Sequence, residues 1–385
     1  MKHTNVFDVL VVYTNGIAKS PANRSSKISC PFPNSRANYN TAYAYFLETC
    51  KRAGLTAALC TSNDIIDAGT ASRYWLYEHK VWKKVNGPCS SRLIFDKFSP
   101  INQKKKQERQ LLFSSDLIKP FNDPHLSFLF FDKLETYHRL GDFAIPTVAI
   151  GGTSRQAVRE SIRLLRRLTG QGLSLNDFTR SIVVKDRFGA GGNNISKVTK
   201  NYQQEIYSLV QAKKSLSYIL QPFMKFNKGY SYQNHTAATD LRLIYQNGQI
   251  IQTYIRMAKA GDFRCNEHQG ATLLYVNIKD IPSKVIKFAD KIISKLNQNN
   301  SLFALDFIIS DTGNVYFLEG NIGPGLDWNL KLKKNEQMSK KLIRAIVKEL
   351  AFRTAATRLD RLQEDKIRPH IAPLPSSPLY ASVDA

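Results

Sequence analysis

Long apolar runs are missing from this 385-residue chain. No stretch approaches the roughly 18 residues that a membrane helix needs. The strongest, residues 126–131, is only strand-sized. Cysteine is also scarce. Cys30, Cys50, Cys60, Cys89 and Cys265 are odd in number and scattered, with no C-x-x-C pair. That spacing excludes a Cys-rich structural zinc site and a disulfide framework, and it points to a reducing cytoplasm. The first residues, MKHTNVFDVLVVY, lack a small-residue cleavage site and read as a core strand rather than a signal peptide. No zinc-finger spacing, RNA-recognition signature, heptad-plus-basic region or internal repeat is present, which disfavours a dedicated nucleic-acid binder. Acidic residues are in deficit. Fifty-five Lys+Arg against 31 Asp+Glu leave a net charge of +24. Such a surface favours polyanionic neighbours, nucleotides and acidic protein tails among them, although a generally basic surface is the plainer explanation.

With 43% hydrophobic and 22% charged residues the composition is that of a soluble globular protein, long enough for two or three domains. The opening order is strand 7–13, loop 14–38, helix 40–53 ending at Gly54, then strand 55–60, which suggests an open α/β domain. Residues 92–95 and 127–131 read as further strands around a Lys-rich helix, 132–140 as a helix and 145–150 as a strand. Gly151–Ser154 caps a basic amphipathic helix over 155–168, with Val158, Ile162, Leu165 and Leu168 on one stripe. From 181 to 328 the pattern is mostly strands, with helices at 203–213 and 281–297. A long helix is expected over 339–365, with Ser339 as its N-cap and Leu342, Ile346 and Leu350 on one face. The Pro-rich residues 369–385 are expected to be disordered.

The chemistry concentrates in three blocks. Residues 303–328 read FALDFIISDTGNVYFLEGNIGPGLDW, two apolar runs around a turn signal at Asp311-Thr312-Gly313-Asn314. With Thr312 and Gly313 as a two-residue loop, Asp306 sits opposite Glu319, and Asn321 follows one pleat further on the same face. Ile308 and Phe317 are expected to flank the acids on that face. Two facing carboxylates on an apolar hairpin repel, and a hard cation such as Mg²⁺ between them relieves the conflict. A hairpin whose acids simply face water is the alternative, and a one-residue slip breaks the pairing.

The second block, 181–200, carries an apolar strand ending in Lys185. Gly189, Gly191 and Gly192 follow, able to bring backbone N–H groups close to phosphate oxygens. The third, 239–271, holds a hairpin at Asn247-Gly248. Asp240 and Arg242 share a face there, followed by Arg256, Arg264 and Asn266, arginines suited to phosphate or carboxylate recognition. The only histidine in a site block, His268, reads as a loop residue rather than a catalytic base.

These blocks resemble the ATP-grasp superfamily in their order: VVK with a glycine loop, LQPFM, D-x-R, GDFR-x-N, then LDF…LEGN-x-x-PG. The DFRCNEHQGA stretch looks most like the branch of ribosomal-protein glutamate ligases and the lysine-biosynthesis carrier-protein ligase, which has the glutathione synthetase-like fold. The resemblance implies an α+β ATP-grasp fold, two α+β subdomains clasping ATP, preceded by an α/β Rossmann-like pre-ATP domain. The corresponding boundaries are 1–127, then 128–335 (split into 128–225 and 226–335), a C-terminal helix at 336–368 and the tail 369–385.

It further implies an ADP-forming carbon–nitrogen ligase that joins a carboxylate to an amine through an acyl phosphate. Lys133 and Lys185 would be the nucleotide-binding lysines, Gly189, Gly191 and Gly192 the phosphate flap, and Gln221, Phe223 and Met224 the adenine hinge. Asp306, Glu319 and Asn321 would hold two Mg²⁺ ions, with Mn²⁺ able to substitute. Arg256 would contact the γ-phosphate or acyl phosphate, while Arg242, Arg264 and Asn266 would face the substrate carboxylate or the intermediate. Departures from the family are Asp186 after Lys185, Gln221 in place of Glu, and no ribose-binding carboxylate after the hinge, where Lys225 or Asn227 could substitute. ATP and a small amino acid or an acidic peptide or protein acceptor are the implied partners, and a homo-oligomer is left open. A non-catalytic or regulatory ATP-binding protein of the same fold is the competing reading.

Overall fold

The structure, a computed structural model, describes residues 4–22, 28–33, 37–98, 102–170, 175–297 and 300–367. The expectation for 369–385 lies outside these residues.

The main sheet of the N-terminal unit is built from β1 (Val9–Tyr13), β2 (Ala57–Thr61), β3 (Tyr74–Glu78), β4 (Val81–Val85) and β5 (Leu93–Lys97), with α1 (Ala37–Arg52) between the first two. After α2 (Gln103–Leu112) a short β6 (Lys119–Pro120) completes a sheet of order β6-β5-β1-β2-β3-β4. Its first four strands are parallel and the last two antiparallel. Every residue of β1 is buried, as both-faced covering of a parallel strand requires.

Residues 124–131 depart from the strand expected there. Pro124–Phe131 is a helix, α3, followed by α4 (Lys133–Leu140). Asp123 accepts from the His125 N–H at 2.6 Å and Pro124 opens the first turn, a start signal that outweighs the apolar stretch that follows. The expected strand over 145–150 shortens to β7 (Val148–Ala149).

Two antiparallel sheets follow. β7, α5 (Arg155–Thr169), β8 (Phe178–Asp186), β9 (Ile195–Val198), α6 (Tyr202–Ala212) and β10 (Tyr218–Met224) give a sheet of order β7-β10-β8-β9. Val158, Ile162 and Leu165 of α5 pack with Ile206 and Val210 of α6 on Ile182, Val184 and Leu220 of that sheet. β11 (Thr239–Gln246), β12 (Gln249–Met257), β13 (Thr272–Tyr275), α7 (Ser283–Leu296), β14 (Leu302–Ile309) and β15 (Val315–Asn321) give the next, of order β13-β12-β11-β14-β15.

One face of this last sheet carries Leu241, Leu243, Ile255, Leu305 and Phe307 against α7 and α3. The other face is divided along β14. Ile308 packs with Phe223 and Met224 of the preceding sheet, while Leu302 and Ala304 pack with the N-terminal unit. Asp306 lies between them, where the cover parts.

The last helix, α8, runs over Lys333–Ile367, starting six residues before the expected cap. Ser339 is therefore a buried interior residue, 3.4 Å from the Tyr275 hydroxyl. Leu342, Ile346 and Leu350 join Tyr43 and Phe46 of α1 in one cluster.

The β14–β15 hairpin pairs Asp306 with Glu319, but not through a two-residue turn. Ile309 pairs with Val315 and Phe307 with Phe317, and Leu318 is the extra residue of a bulge that restores the opposition of Asp306 and Glu319. Ser310–Asn314 is the loop, fixed by Asp177, which accepts from Asn314 Nδ2 at 2.8 Å and the Tyr316 hydroxyl at 2.7 Å. The bulge also moves Phe317 off the face of the acids and into the core under α7, with Tyr316 taking the place beside Ile308. Gly320 lies against α3, and a Cβ there would stand 2.3 Å from the Phe130 ring. Gly320→Ala is expected to cost about 1–3 kcal/mol of stability by overpacking, read as a lowered midpoint in urea.

Candidate active site

Four side chains on the divided face form a buried charge network. β11 places Asp240 opposite Arg256 and Arg242 opposite Asp306. Arg242 donates to both Asp306 carboxylate oxygens, its Nε at 2.5 Å from Oδ1. Arg256 donates through Nε (2.8 Å) and Nη2 (2.6 Å) to Asp240, and its Nη2 also reaches Asp306 Oδ2 at 2.8 Å. Burial alone would raise the Asp306 carboxyl, but Arg242 and Arg256 reverse that and hold it below its ordinary value. Asp240, equally buried and with Arg256 as its close partner, is pushed up to about 6. The repulsion between Asp306 and Glu319 read from the sequence is thus relieved by two guanidinium groups.

Glu319 and Asn321 complete this end. Asn321 Nδ2 is 3.4 Å from Asp306 Oδ2 and 3.5 Å from Glu319 Oε1. The Glu319 side chain is 28% exposed against 0% for Asp306, so it alone of the two carboxylates presents a face to the cavity. Among the described residues no three His, Cys, Asp or Glu cluster as a metal site. The expected metal set is therefore corrected: both Asp306 oxygens are taken by Arg242 and Arg256, and Glu319 and Asn321 are the members left to offer oxygen to a hard cation.

Lys133 and Lys185 approach from the other side. Asp132 caps α4, accepting from the Leu134 N–H at 3.0 Å, and is gripped by Arg187 at 2.6 and 2.5 Å. Lys133 N–H donates to Arg187 O at 3.2 Å and its Nζ to Gly189 O, so the helix start is tied to the glycine loop. Gly191 and Gly192 have φ of +68° and +74°, where side chains are strained. Burial draws Lys185 down to about 8, with Glu319 opposing and Lys133 assisting the shift.

Gln221 Nε2 donates to Thr147 Oγ1 at 2.8 Å. β7 pairs only with Ile219 and Leu220, so Gln221, Phe223 and Met224 have no strand beside them on that edge. Asn266 borders Gly192, its Oδ1 2.5 Å from where a Cβ would lie.

Two connected hollows result. One of about 490 Å³ is bordered by Lys133, Lys185, Arg242, Arg256, Glu319 and Asn321 and extends to the N-terminal unit. One of about 90 Å³ lies between the two antiparallel sheets, beside Phe223, Met224 and Ile308. Arg264 does not join Arg242 and Arg256. Its guanidinium folds back on Asp262 at 2.8 Å, holding that carboxyl well below the usual range, and it borders only the smaller hollow. Asp132, Arg187 and Asp177 are structural members of the site that the sequence did not single out. Asp-Lys at a helix start was the one signal available for Asp132.

Residues 171–346 match the RimK-like ATP-grasp domain family. The chain carries a RimK-like ATP-grasp domain. Over that segment, a little under half of the chain, it is similar to ATP-grasp ligases, and the curated relatives it matches carry the name of alpha-L-glutamate ligases. A probable alpha-L-glutamate ligase 2 from Pseudoalteromonas atlantica is 26% identical over 231 residues, 58% of this chain and 73% of that one. A second, from Thioalkalivibrio sulfidiphilus, is 27% identical over 50% of this chain, which spans 64% of it. In fold, the domain and its N-terminal unit resemble D-alanyl-alanine synthetase A from Vibrio cholerae (TM-score 0.55, 13% identity, 90% of this chain and 98% of that one). They also resemble the RimK domain protein from Sphaerobacter thermophilus (TM-score 0.51, 12%, 88% and 99%). ATP-grasp ligases use ATP and Mg²⁺, and the ligase PsnB, of the same fold (TM-score 0.50, 11%, 91% and 100%), has been solved with Mg and ADP.

Removing the Asp306 carboxylate strands the buried Arg242 guanidinium and takes one partner from Arg256, which keeps Asp240. Asp306→Ala is expected to cost about 3–5 kcal/mol of folding stability, measured by denaturant titration.

Proposed function

We propose that this protein joins a carboxylate to an amine through an acyl phosphate, within the single cleft that the two antiparallel sheets and the N-terminal unit enclose. The observation that carries this reading is the convergence of Lys133, Lys185, Arg256, Glu319 and Asn321 on one cavity beside a glycine loop. Residues 1–127 serve as the pre-ATP domain, 128–225 and 226–335 as the two subdomains of the clasp, and 336–368 as a bracing helix. Adenine occupies the smaller hollow, hydrogen-bonded by the open edge at Gln221, Phe223 and Met224. The phosphates run toward Lys133 and Lys185, under the Gly189–Gly192 segment, which excludes water from the transfer.

Of the expected metal set, Glu319 and Asn321 face the cavity and would hold Mg²⁺ (or Mn²⁺), which would neutralise charge on the phosphates, while Asp306 stays bonded to Arg242 and Arg256. A carboxylate oxygen of the substrate attacks the γ-phosphorus, giving ADP and the acyl phosphate. Arg256, fixed by Asp240 and Asp306, presents its guanidinium to that phosphoryl group without reorganisation. Arg242 and Asn266 border the same space. Amine attack then releases phosphate. A small amino acid or an acidic peptide is the acceptor class that the +24 charge favours. Five free cysteines, four of them buried, suit a reducing compartment such as the cytoplasm.

ADP release over a panel of amino acids, dipeptides and acidic peptides tests the reading. Substrate-dependent release is expected, and ATP binding without turnover on any of them would leave a nucleotide-binding protein only. Glu319→Gln is expected to lower that release about 10²–10³-fold, the scale of losing one preorganised charge contact, with little change in the melting curve. Lys185 also sets a pH dependence. Its amine is charged below about pH 8 in the free protein and neutral above it, so ATP affinity by calorimetry should weaken as pH rises from 7 to 9.

A further inference from the structure

The basic helix α5 takes no part in the cleft. It packs on Ile182 and Val184 of β8, whereas Val183 and Lys185 of the same strand point the other way and border the hollows. The outer surface of α5 therefore lies on the opposite side of the sheet from the proposed chemistry.

α5 carries five arginines, Arg155, Arg159, Arg163, Arg166 and Arg167, and a single acid, Glu160. All five are exposed, and Glu160 accepts from Gln156 Nε2 at 2.9 Å. Among the described residues none of the five enters an ion pair. At about 100° per residue the first four fall within a sector of about 80°, along one flank of the apolar stripe. Arg155, Arg159 and Arg163 follow one another at steps of about 6 Å along the axis.

α6 holds two members of this row in place. Arg155 Cζ lies 4.4 Å from the centre of the Tyr207 ring, and its Nη1 donates to Gln204 Oε1 at 2.7 Å. Arg166 Cζ lies 5.6 Å from the centre of the Tyr202 ring. A guanidinium stacked by its face keeps N–H edges for an acceptor, and less freedom is lost when it binds one.

A row of like charges without counter-charges repels itself, and an anionic partner removes that repulsion. Guanidinium suits both carboxylate and phosphate, but two features favour carboxylates. Tyr202 and Tyr207 are half-buried and each is capped by an arginine, so they offer bases no stacking platform. The step of about 6 Å also lies close to the roughly 6.6 Å between alternate residues of an extended chain.

We propose that the α5–α6 face binds an extended acidic segment of a partner protein, whose alternate carboxylates pair with Arg155, Arg159, Arg163 and Arg166. Docking there leaves the cleft open to substrate.

The test is fluorescence anisotropy of the full chain with labelled poly-glutamate, and separately with labelled oligouridylate, at low ionic strength. The wild type is compared with the double variant Arg159→Glu/Arg163→Glu and with Lys287→Glu/Lys291→Glu on α7, which changes the net charge equally. All four side chains are exposed, so both variants are expected to keep the wild-type melting curve. The α5 variant is expected to bind poly-glutamate about tenfold or more weakly, having lost two charge contacts and gained two repulsions, and the α7 variant less than about twofold. Equal weakening in both variants would make binding a property of net charge and overturn the proposal. So would a wild type that does not bind poly-glutamate, or one that binds oligouridylate more tightly through the same arginines.

Discussion

One buried carboxylate organises this molecule. Asp306 sits in the middle of an all-buried strand, with no exposed surface and two guanidinium groups bonded to it. A lone charge at that depth would cost several kcal/mol, and only the close pairs with Arg242 and Arg256 make the placement tolerable. Those pairs require β11, β12 and β14 to lie side by side in one register, since a slip by one residue would turn an arginine into the apolar face. The charge network and the sheet therefore specify each other.

The same strand explains why a cavity exists. Along one face of β14, residues two apart meet different neighbours: Ile308 the preceding sheet, Leu302 and Ala304 the N-terminal unit. Neither cover reaches Asp306. The polar residues fall where the apolar cover is interrupted, and the hollow between the three units is lined from all of them. Substrate chemistry at such a junction depends on how the units are held together, here by Lys97 on the loop after Asn321 and by α8 against α1.

The hairpin shows how a correct pairing can rest on a different local geometry. Asp306 does face Glu319, yet through a five-residue loop and a bulge at Leu318 rather than a two-residue turn. The turn signal at Asp311–Asn314 was real. Its loop length, however, is set by Asp177, more than a hundred residues earlier, whose bonds to Asn314 and Tyr316 no local pattern could reveal. Phe317 moved to the opposite face for the same reason. The helix at Pro124–Phe131 carries the short apolar run of a strand, which has no period of its own, and the cap at Asp123 is the feature that distinguishes the two.

The order of the chemical blocks along the chain determined the fold class and the residues of the candidate site: Lys133, Lys185, Gly189, Gly191, Arg242, Arg256, Glu319 and Asn321 border one cavity, with Asp306 buried behind it. These were legible because residue type, spacing and strand alternation are local properties. Tertiary structure alone decided that the arginines neutralise Asp306, that Arg264 turns away to Asp262, and that Arg187 locks Lys133 to the glycine loop. Each of those is a choice of partner among groups far apart in sequence. It is settled by which charges are buried together and which of them solvent can no longer screen.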